Sequence, residues 1–65
     1  MKINLNGSLV ETQSHDLKAF VVEQGLDPVS LIVEYNYQVV KQDTWAEIHI
    51  KNGDNLELLS FVGGG

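Results

Sequence analysis

The sequence predicts an α+β domain in which one main helix packs across a mixed sheet of four to five strands. Two kinds of pattern lead to this prediction: segments that alternate polar and apolar residues, and one segment with apolar residues at helical spacing. With 65 residues, the chain can build one small core, and 43% of its residues are hydrophobic. A single folded domain is therefore expected.

A β-hairpin is expected at the start of the chain. In MKINLN, Ile3 and Leu5 share one face of a strand, and polar side chains occupy the other. Asn6-Gly7 follows, and this dipeptide favours a tight hairpin turn because both residues tolerate positive φ angles. The next segment, SLVETQ, should therefore return antiparallel to the first strand.

Residues 14–26, SHDLKAFVVEQGL, are predicted to contain the main helix. Ser14 is the predicted N-cap, and Asp16 lies in the first turn, where a negative charge is favourable. Gly25 should end the helix in a left-handed C-terminal cap. Apolar residues recur at helical spacing and should face the core: Leu17, Phe20 and Val21.

The segment SLIVEYN, residues 30–36, is predicted to be a central strand because it is rich in β-branched and aromatic residues. Asn36 and Tyr37 should turn the chain into a short strand, QVV. The polar segment KQDTWAE then predicts a single helical turn. Its Trp45 is interpreted as a partly buried anchor for that turn, in preference to a ligand-stacking residue.

The last third of the domain is predicted to contain two further extended segments. Ile48 and Ile50 alternate with polar residues, NGD turns the chain, and Leu56 and Leu58 lie on one face of the final strand. This order of elements is the β-grasp arrangement, with the first and last strands parallel at the centre of the sheet. The helix-containing middle of the chain provides the long crossover that parallel neighbours need.

Composition argues against several classes of partner and chemistry. Four lysines against nine acidic residues give a formal charge of −5, which repels phosphate backbones and anionic membranes. The sequence has no cysteine, so disulfides, thiolate nucleophiles and thiolate metal sites are excluded. It also lacks the long apolar stretch of a signal peptide or membrane span, so a cytoplasmic location is expected.

The remaining polar residues do not predict a catalytic or cofactor site. His15 and His49 are far apart in sequence and belong to no cluster of metal ligands. Glutamates on strand faces are expected to be solvated and to keep the protein soluble: Glu34, Glu47 and Glu57. Gly53 is isolated, so no phosphate-binding loop is expected. The chain is thus expected to hold no metal, to bind no cofactor and to have no catalytic residues of its own.

The last five residues of the sequence are FVGGG. The chain is predicted to divide into a domain at residues 1–62 and a flexible glycine tail at residues 63–65. Terminal glycines are commonly no more than a frayed end. A carboxylate on Gly65, however, would be flanked by no side chain across Gly63 and Gly64, so the tail could enter a narrow tunnel in another protein. There the activated carboxylate would be an acyl donor.

Taken together, five segments resemble the ThiS family of thiamine-biosynthesis sulfur carriers, which have a ubiquitin-like β-grasp fold. They are MKINLNG, VEYNYQVV, DTWAE, NGD and FVGGG, and their order and spacing match over essentially the whole chain. The resemblance implies that a ThiF-type, E1-like enzyme uses ATP and magnesium to adenylate Gly65. A sulfur source, such as a cysteine desulfurase system, then gives a thiocarboxylate, and a ThiG-type thiazole synthase receives the sulfur.

Three apolar residues near the tail are expected either to belong to the core or to form, in part, an exposed patch that docks on the activating enzyme: Leu58, Phe61 and Val62. Val62 is the preferred one because it lies between strand and tail. Other functions remain open: a molybdopterin-synthase-type carrier, a ubiquitin-like modifier joined to lysines through Gly65, or an interaction domain with an idle tail. Cellular conjugates dependent on Gly65 would indicate the modifier, and a tolerated deletion of Gly64 and Gly65 would indicate the interaction domain.

Overall fold

The computed structural model describes residues 1–61, so the predictions for Val62, for Gly63 to Gly65 and for the domain boundary lie outside the described residues. The strands are β1 (Lys2–Leu5), β2 (Ser8–Glu11), β3 (Leu31–Tyr35), β4 (Gln38–Val40) and β5 (Asn55–Ser60). The helix α1 spans Leu17–Glu23, and two 3-10 helices span Pro28–Ser30 and Gln42–Glu47. No helix within residues 1–61 combines the length and apolar character needed to cross a bilayer.

One mixed sheet of five strands has the order β2-β1-β5-β3-β4. The two strands β1 and β5 are parallel, and every other neighbouring pair is antiparallel. The parallel pairing of the first and last strands is therefore as predicted from the order of elements. The strand at the centre is β5, whereas β3, predicted to be central, lies between β5 and the edge strand β4.

Both tight turns of the sheet are built on residues in the left-handed region. Asn6 and Gly7 have φ angles of 50° and 85° between β1 and β2. Asn36 and Tyr37 have φ angles of 49° and 73° between β3 and β4. These values match the turn in which both central residues have positive φ, whose twist fits a two-residue hairpin. Both turn predictions are confirmed.

The main helix begins two residues later than the predicted N-cap implies. Asp16 is the cap: its backbone is extended, and its Oδ1 accepts a hydrogen bond of 2.8 Å from the backbone N–H of Ala19. The prediction of Ser14 as the cap is wrong, because its Oγ donates to Glu23 Oε1 across 3.2 Å instead. Gly25 follows the helix with a φ of 73°, as expected for the left-handed C-terminal cap.

The core lies between one face of the sheet and α1. The helix buries the three predicted apolar residues there, and the sheet contributes apolar residues from β1, β3 and β5. Trp45 closes the core from the second 3-10 helix: it is 2% exposed, and its Nε1 donates to the Val40 carbonyl at 3.2 Å. Its interpretation as an anchor is confirmed, and it is more deeply buried than predicted.

The extended segment predicted around Ile48 and Ile50 does not form a strand of the sheet. This segment makes a single antiparallel bridge, Asp16 to His49, with the residues that lead into α1. Leu17 N–H donates to the Ile48 carbonyl at 2.9 Å, and Ile50 N–H donates to the His15 carbonyl at 3.0 Å. The alternation is real, since Ile50 is buried, but it serves to tie the start of the helix to the core and not to extend the sheet.

Candidate functional site

The candidate site is the place where the chain leaves the sheet toward the tail. The regular pairing of β5 with β3 ends with Ser60 opposite Leu31. Phe61 adds one further bond, because its N–H donates to the Ser30 carbonyl at 2.9 Å. The backbone is therefore fixed as far as Phe61, beside the end of the first 3-10 helix.

A side chain from the first hairpin holds β5 on its other flank. Asn6 Oδ1 accepts from the backbone N–H of Leu58 at 2.9 Å, and Asn6 Nδ2 donates to the Leu58 carbonyl at 3.2 Å. The Asn6 N–H also donates to the Leu56 carbonyl at 2.9 Å. Because β1 ends at Leu5 and β5 continues to Ser60, the Asn6 side chain replaces the strand residue that β1 lacks.

The second hairpin holds the beginning of β5 in the same way. Asn36 Oδ1 accepts from the Asn55 N–H at 2.8 Å, and the Asn36 N–H donates to the Asn55 carbonyl at 2.8 Å. Sequence reasoning gave both hairpin asparagines a role in the turns alone. The signal for a second role is the choice of asparagine where glycine would also meet the demand for positive φ.

The turn that precedes β5 is organised by Asp54. Its Oδ2 accepts bonds of 2.7 Å from both the Tyr35 hydroxyl and the Lys51 N–H, and its Oδ1 accepts from Asn36 Nδ2 at 3.2 Å. Burial raises the pKa of Tyr35 to about 12, with help from the bond to Asp54 and its charge. Burial also acts to raise the pKa of Asp54, but the bonds that its carboxylate accepts outweigh this and lower it.

The outer face of the sheet, away from α1, carries an apolar patch at the end of β5, near Phe61. Ile32 and Leu59 lie directly opposite each other on β3 and β5 and are 42% and 49% exposed. Phe61, 45% exposed, continues the same ladder two residues after Leu59, so alternation places it on the same side. We call Ile32, Leu59 and Phe61 the tail-root patch.

Leu58, one of the three docking candidates, is a core residue. Only 6% of it is exposed, because alternation along β5 turns its side chain to the inner face with Leu56. A partner could not reach it without opening the core. The exposed leucine of this strand is its neighbour Leu59, which sequence reasoning missed although the same alternation predicts it.

Next to the tail-root patch, farther from the tail, the outer face is acidic. Glu34 and Glu57 lie directly opposite each other on β3 and β5, and both are half-buried. Like charges in this arrangement destabilise a sheet. Neither glutamate is in an ion pair with another residue of the part of the chain described. The structure thus brings two of the three sequence-selected glutamates together, while Glu47 lies in the second 3-10 helix.

Comparison with protein-family models gives a match over residues 2–65 to the ThiS family. The chain belongs to the ThiS family. The family inferred from the sequence is therefore confirmed. The fold is confirmed independently by the crystal structure of the thiamine biosynthesis protein ThiS from Geobacter metallireducens. That structure has a TM-score of 0.86 and 23% identity to this chain, and the match covers all of both chains.

Two curated relatives of this ThiS family member are much longer proteins. The thiazole synthase of Paramagnetospirillum magneticum is 33% identical over 66 residues, and that of Magnetococcus marinus is 32% identical over 66 residues. Each match covers 100% of this chain and 20% of the relative. The chain thus spans about a fifth of the length of these relatives.

We call the side chains of Asn6 and Asn36 the asparagine clamps. They predict local effects at two different places along β5. Asn6→Gly keeps the permitted φ angle but removes both side-chain bonds to Leu58. The Leu58 amide should therefore exchange with solvent at least tenfold faster in the native state. Asn36→Gly should do the same to the Asn55 amide. Native-state hydrogen exchange by NMR measures both, and each variant is the control for the other. Equal acceleration of both amides in both variants would show that the clamps act only on global stability.

The Tyr35 hydroxyl predicts a pH dependence at the alkaline end. Folding raises the pKa of Tyr35 from 10.0 to about 12. The protonated hydroxyl therefore contributes fully to the free energy of unfolding below pH 10, and this contribution is lost as the pH rises toward 12. Tyr35→Phe should be less stable than the parent at pH 8, and the gap should narrow between pH 10 and pH 12. Urea unfolding of both proteins across this range measures it, and a gap independent of pH would contradict the assignment.

Proposed function

We propose that this chain is a sulfur carrier of thiamine biosynthesis that carries the sulfur as a thiocarboxylate on Gly65. The observation that carries the proposal is membership of the ThiS family over residues 2–65, which includes the three glycines. The anchored strand that leads to them supports it. The chemistry requires Gly65 to have a free carboxylate.

The proposed chemistry has two steps, and partners supply the catalytic groups for both. A carboxylate oxygen of Gly65 attacks the α-phosphorus of ATP bound with magnesium to a ThiF-type, E1-like enzyme, and pyrophosphate leaves. Hydrosulfide then attacks the acyl carbon and displaces AMP. Where a cysteine desulfurase system supplies the sulfur as a persulfide, the persulfide displaces AMP instead, and a thiol reductant cleaves the resulting acyl disulfide. The product is a thiocarboxylate. Glycine suits this role because it places no side chain beside the reacting carbonyl.

The short length of chain after Phe61 makes docking of the folded domain part of the mechanism. Four residues follow Phe61, and a chain of that length spans at most about 14 Å. The activating site must therefore lie within that distance of the tail-root patch. This is why exposed apolar residues next to Phe61 support a docking role, and why Val62 remains a proposed contact.

Charge suggests the chemistry of the docking partner. The outer face retains two opposed carboxylates, Glu34 and Glu57, at a cost in stability. A partner surface with an apolar spot bordered by lysine or arginine would neutralise them and cover the tail-root patch. We assign this surface to the ThiF-type enzyme.

The acceptor of the sulfur is proposed to be a ThiG-type thiazole synthase. Proteins named thiazole synthase in two organisms contain, within one longer chain, a segment similar to the whole of this one. Fusion of two activities in one polypeptide is what would be expected where a carrier and its acceptor work together. We place this exchange in the cytoplasm.

The function is tested by intact mass spectrometry after incubation with a ThiF-type enzyme, MgATP and a sulfur source. Replacement of one oxygen by one sulfur, localised to Gly65 by fragmentation, is the expected result, and the chain lacking Gly64 and Gly65 should remain unmodified. No mass change with an enzyme that is active on another carrier would overturn the proposal. A covalent bond to a lysine would indicate a protein modifier instead.

Leu59 predicts that docking can be lost without loss of the fold. Leu59→Asp places a charge in the tail-root patch and should lower kcat/KM for thiocarboxylation at least tenfold, with little effect on the free energy of unfolding. The matched control is Leu9→Asp, because Leu9 is 63% exposed on β2, two strands away. Equal losses of activity in the two variants would remove the tail-root patch from the mechanism.

The glutamate pair predicts opposite effects on stability and activation. Glu57→Gln relieves the repulsion with Glu34 and should stabilise the fold by a few tenths of a kcal/mol. It should also raise KM for the activating enzyme, more at low salt than at high salt. Glu47→Gln, outside the sheet, is the control. A Glu57→Gln protein with unchanged KM would contradict the assignment of a basic partner surface.

A further inference from the structure

A concave surface lies on the helical side of the molecule, away from the outer face of the sheet. It is a half-open groove between α1 and the second 3-10 helix, with a volume of about 550 Å³. Sites for small molecules in proteins commonly have volumes of about 300 to 1,000 Å³. We call it the helical groove, and nothing in the carrier mechanism uses it.

The helical groove is apolar at its base. Val21 and Trp45 form part of its lining and are 1% and 2% exposed, so their positions are fixed by the core. Val22, also in the lining, is 63% exposed and presents an uncovered apolar side chain. An apolar ligand body would therefore gain its contact area mainly by covering Val22, above a floor that the core holds rigid.

The same groove gathers half of the positive side chains of an acidic protein. Lys18 and Lys41 both line it, and the chain has four lysines and a formal charge of −5. One carboxylate, that of Asp43, lines it as well, which leaves the lining with a net positive charge. Neither lysine forms an ion pair with any of residues 1–61. Both ammonium groups are therefore available to a ligand.

The acidic residues around α1 are already engaged by the fold. Asp16 caps the helix at Ala19, and Glu23 accepts from the hydroxyls of Thr12 and Ser14. Asp27 caps the first 3-10 helix through a bond of 3.1 Å from the Val29 N–H. These carboxylates keep their charge, but each is directed to a local bond and none of them lines the groove.

We propose that the helical groove binds a small amphipathic anion. An apolar body of two or three rings covers Val22 above the floor formed by Val21 and Trp45, and a carboxylate, phosphate or sulfonate group pairs with Lys18 and Lys41. This site is separate from the tail-root patch. The proposal therefore stands or falls independently of the carrier function.

The test uses 8-anilinonaphthalene-1-sulfonate as the probe and Trp45, the one tryptophan of the chain, as the energy donor. The uncharged N-phenyl-1-naphthylamine, which has the same rings without the sulfonate, is the matched ligand. Saturable energy transfer from Trp45 to the anion is expected. The double variant Lys18→Gln with Lys41→Gln should weaken the anion about fivefold and leave the uncharged ligand within about twofold.

A second double variant, Lys2→Gln with Lys51→Gln, makes the same change in net charge outside the groove and should leave the affinity for the anion unchanged. Leu59→Ser should also leave it unchanged, since the tail-root patch is the other surface that could bind the probe. Equal weakening by both lysine pairs, or loss of transfer in Leu59→Ser, would overturn the proposal. So would unchanged probe binding with weakened thiocarboxylation in the first pair, which would indicate a protein-docking groove.

Discussion

The central strand β5 is longer than the parallel strand beside it, and the rest of the structure depends on how its remaining backbone groups are paired. Register pairs Asn4 with Asn55 and Leu5 with Leu56, after which β1 turns away. The N–H and carbonyl of Leu58 would then lack partners at the middle of the sheet, and leaving such groups unpaired costs about 1 to 3 kcal/mol each. Asn6 satisfies both. One side chain thus completes the hairpin and extends the sheet to the point where the tail begins.

Successive residues of β5 alternate between the core, which stabilises the fold, and the outer face, which a partner could contact. Leu56 and Leu58 face inward and are almost fully buried, whereas Glu57 and Leu59 face outward. Side chains on one face can therefore change with little effect on the core behind them, because alternation isolates the two sets. The outer face keeps a half-exposed apolar patch and an opposed pair of carboxylates that costs stability. Their presence is better explained by a partner than by folding.

Local patterns in the sequence predicted the fold well and the site less well, for physical reasons. The turns at Asn6 and Asn36 and the parallel pairing follow from backbone preferences and chain connectivity. The prediction of Ser14 as the cap failed because Ser14 and Asp16 lie within one turn and both have an oxygen that can accept the capping bond. The extended segment at residues 48–50 adds no strand to the sheet because its alternation serves a single bridge. The bonds between Asn6 and Leu58 join residues 52 positions apart, and no local pattern reports such a contact.

If the tail is the acyl donor, reactivity and specificity lie on different parts of the chain. Three glycines offer a partner nothing to distinguish one carrier from another, since they have no side chains. Recognition must then come from the folded domain, within the short reach of the residues after Phe61. Under the proposed function, the outer face of the sheet would select the enzymes that act on the carrier, and the glycines would set the chemistry. A substitution on that face should change which enzyme accepts the chain and leave the reaction itself the same.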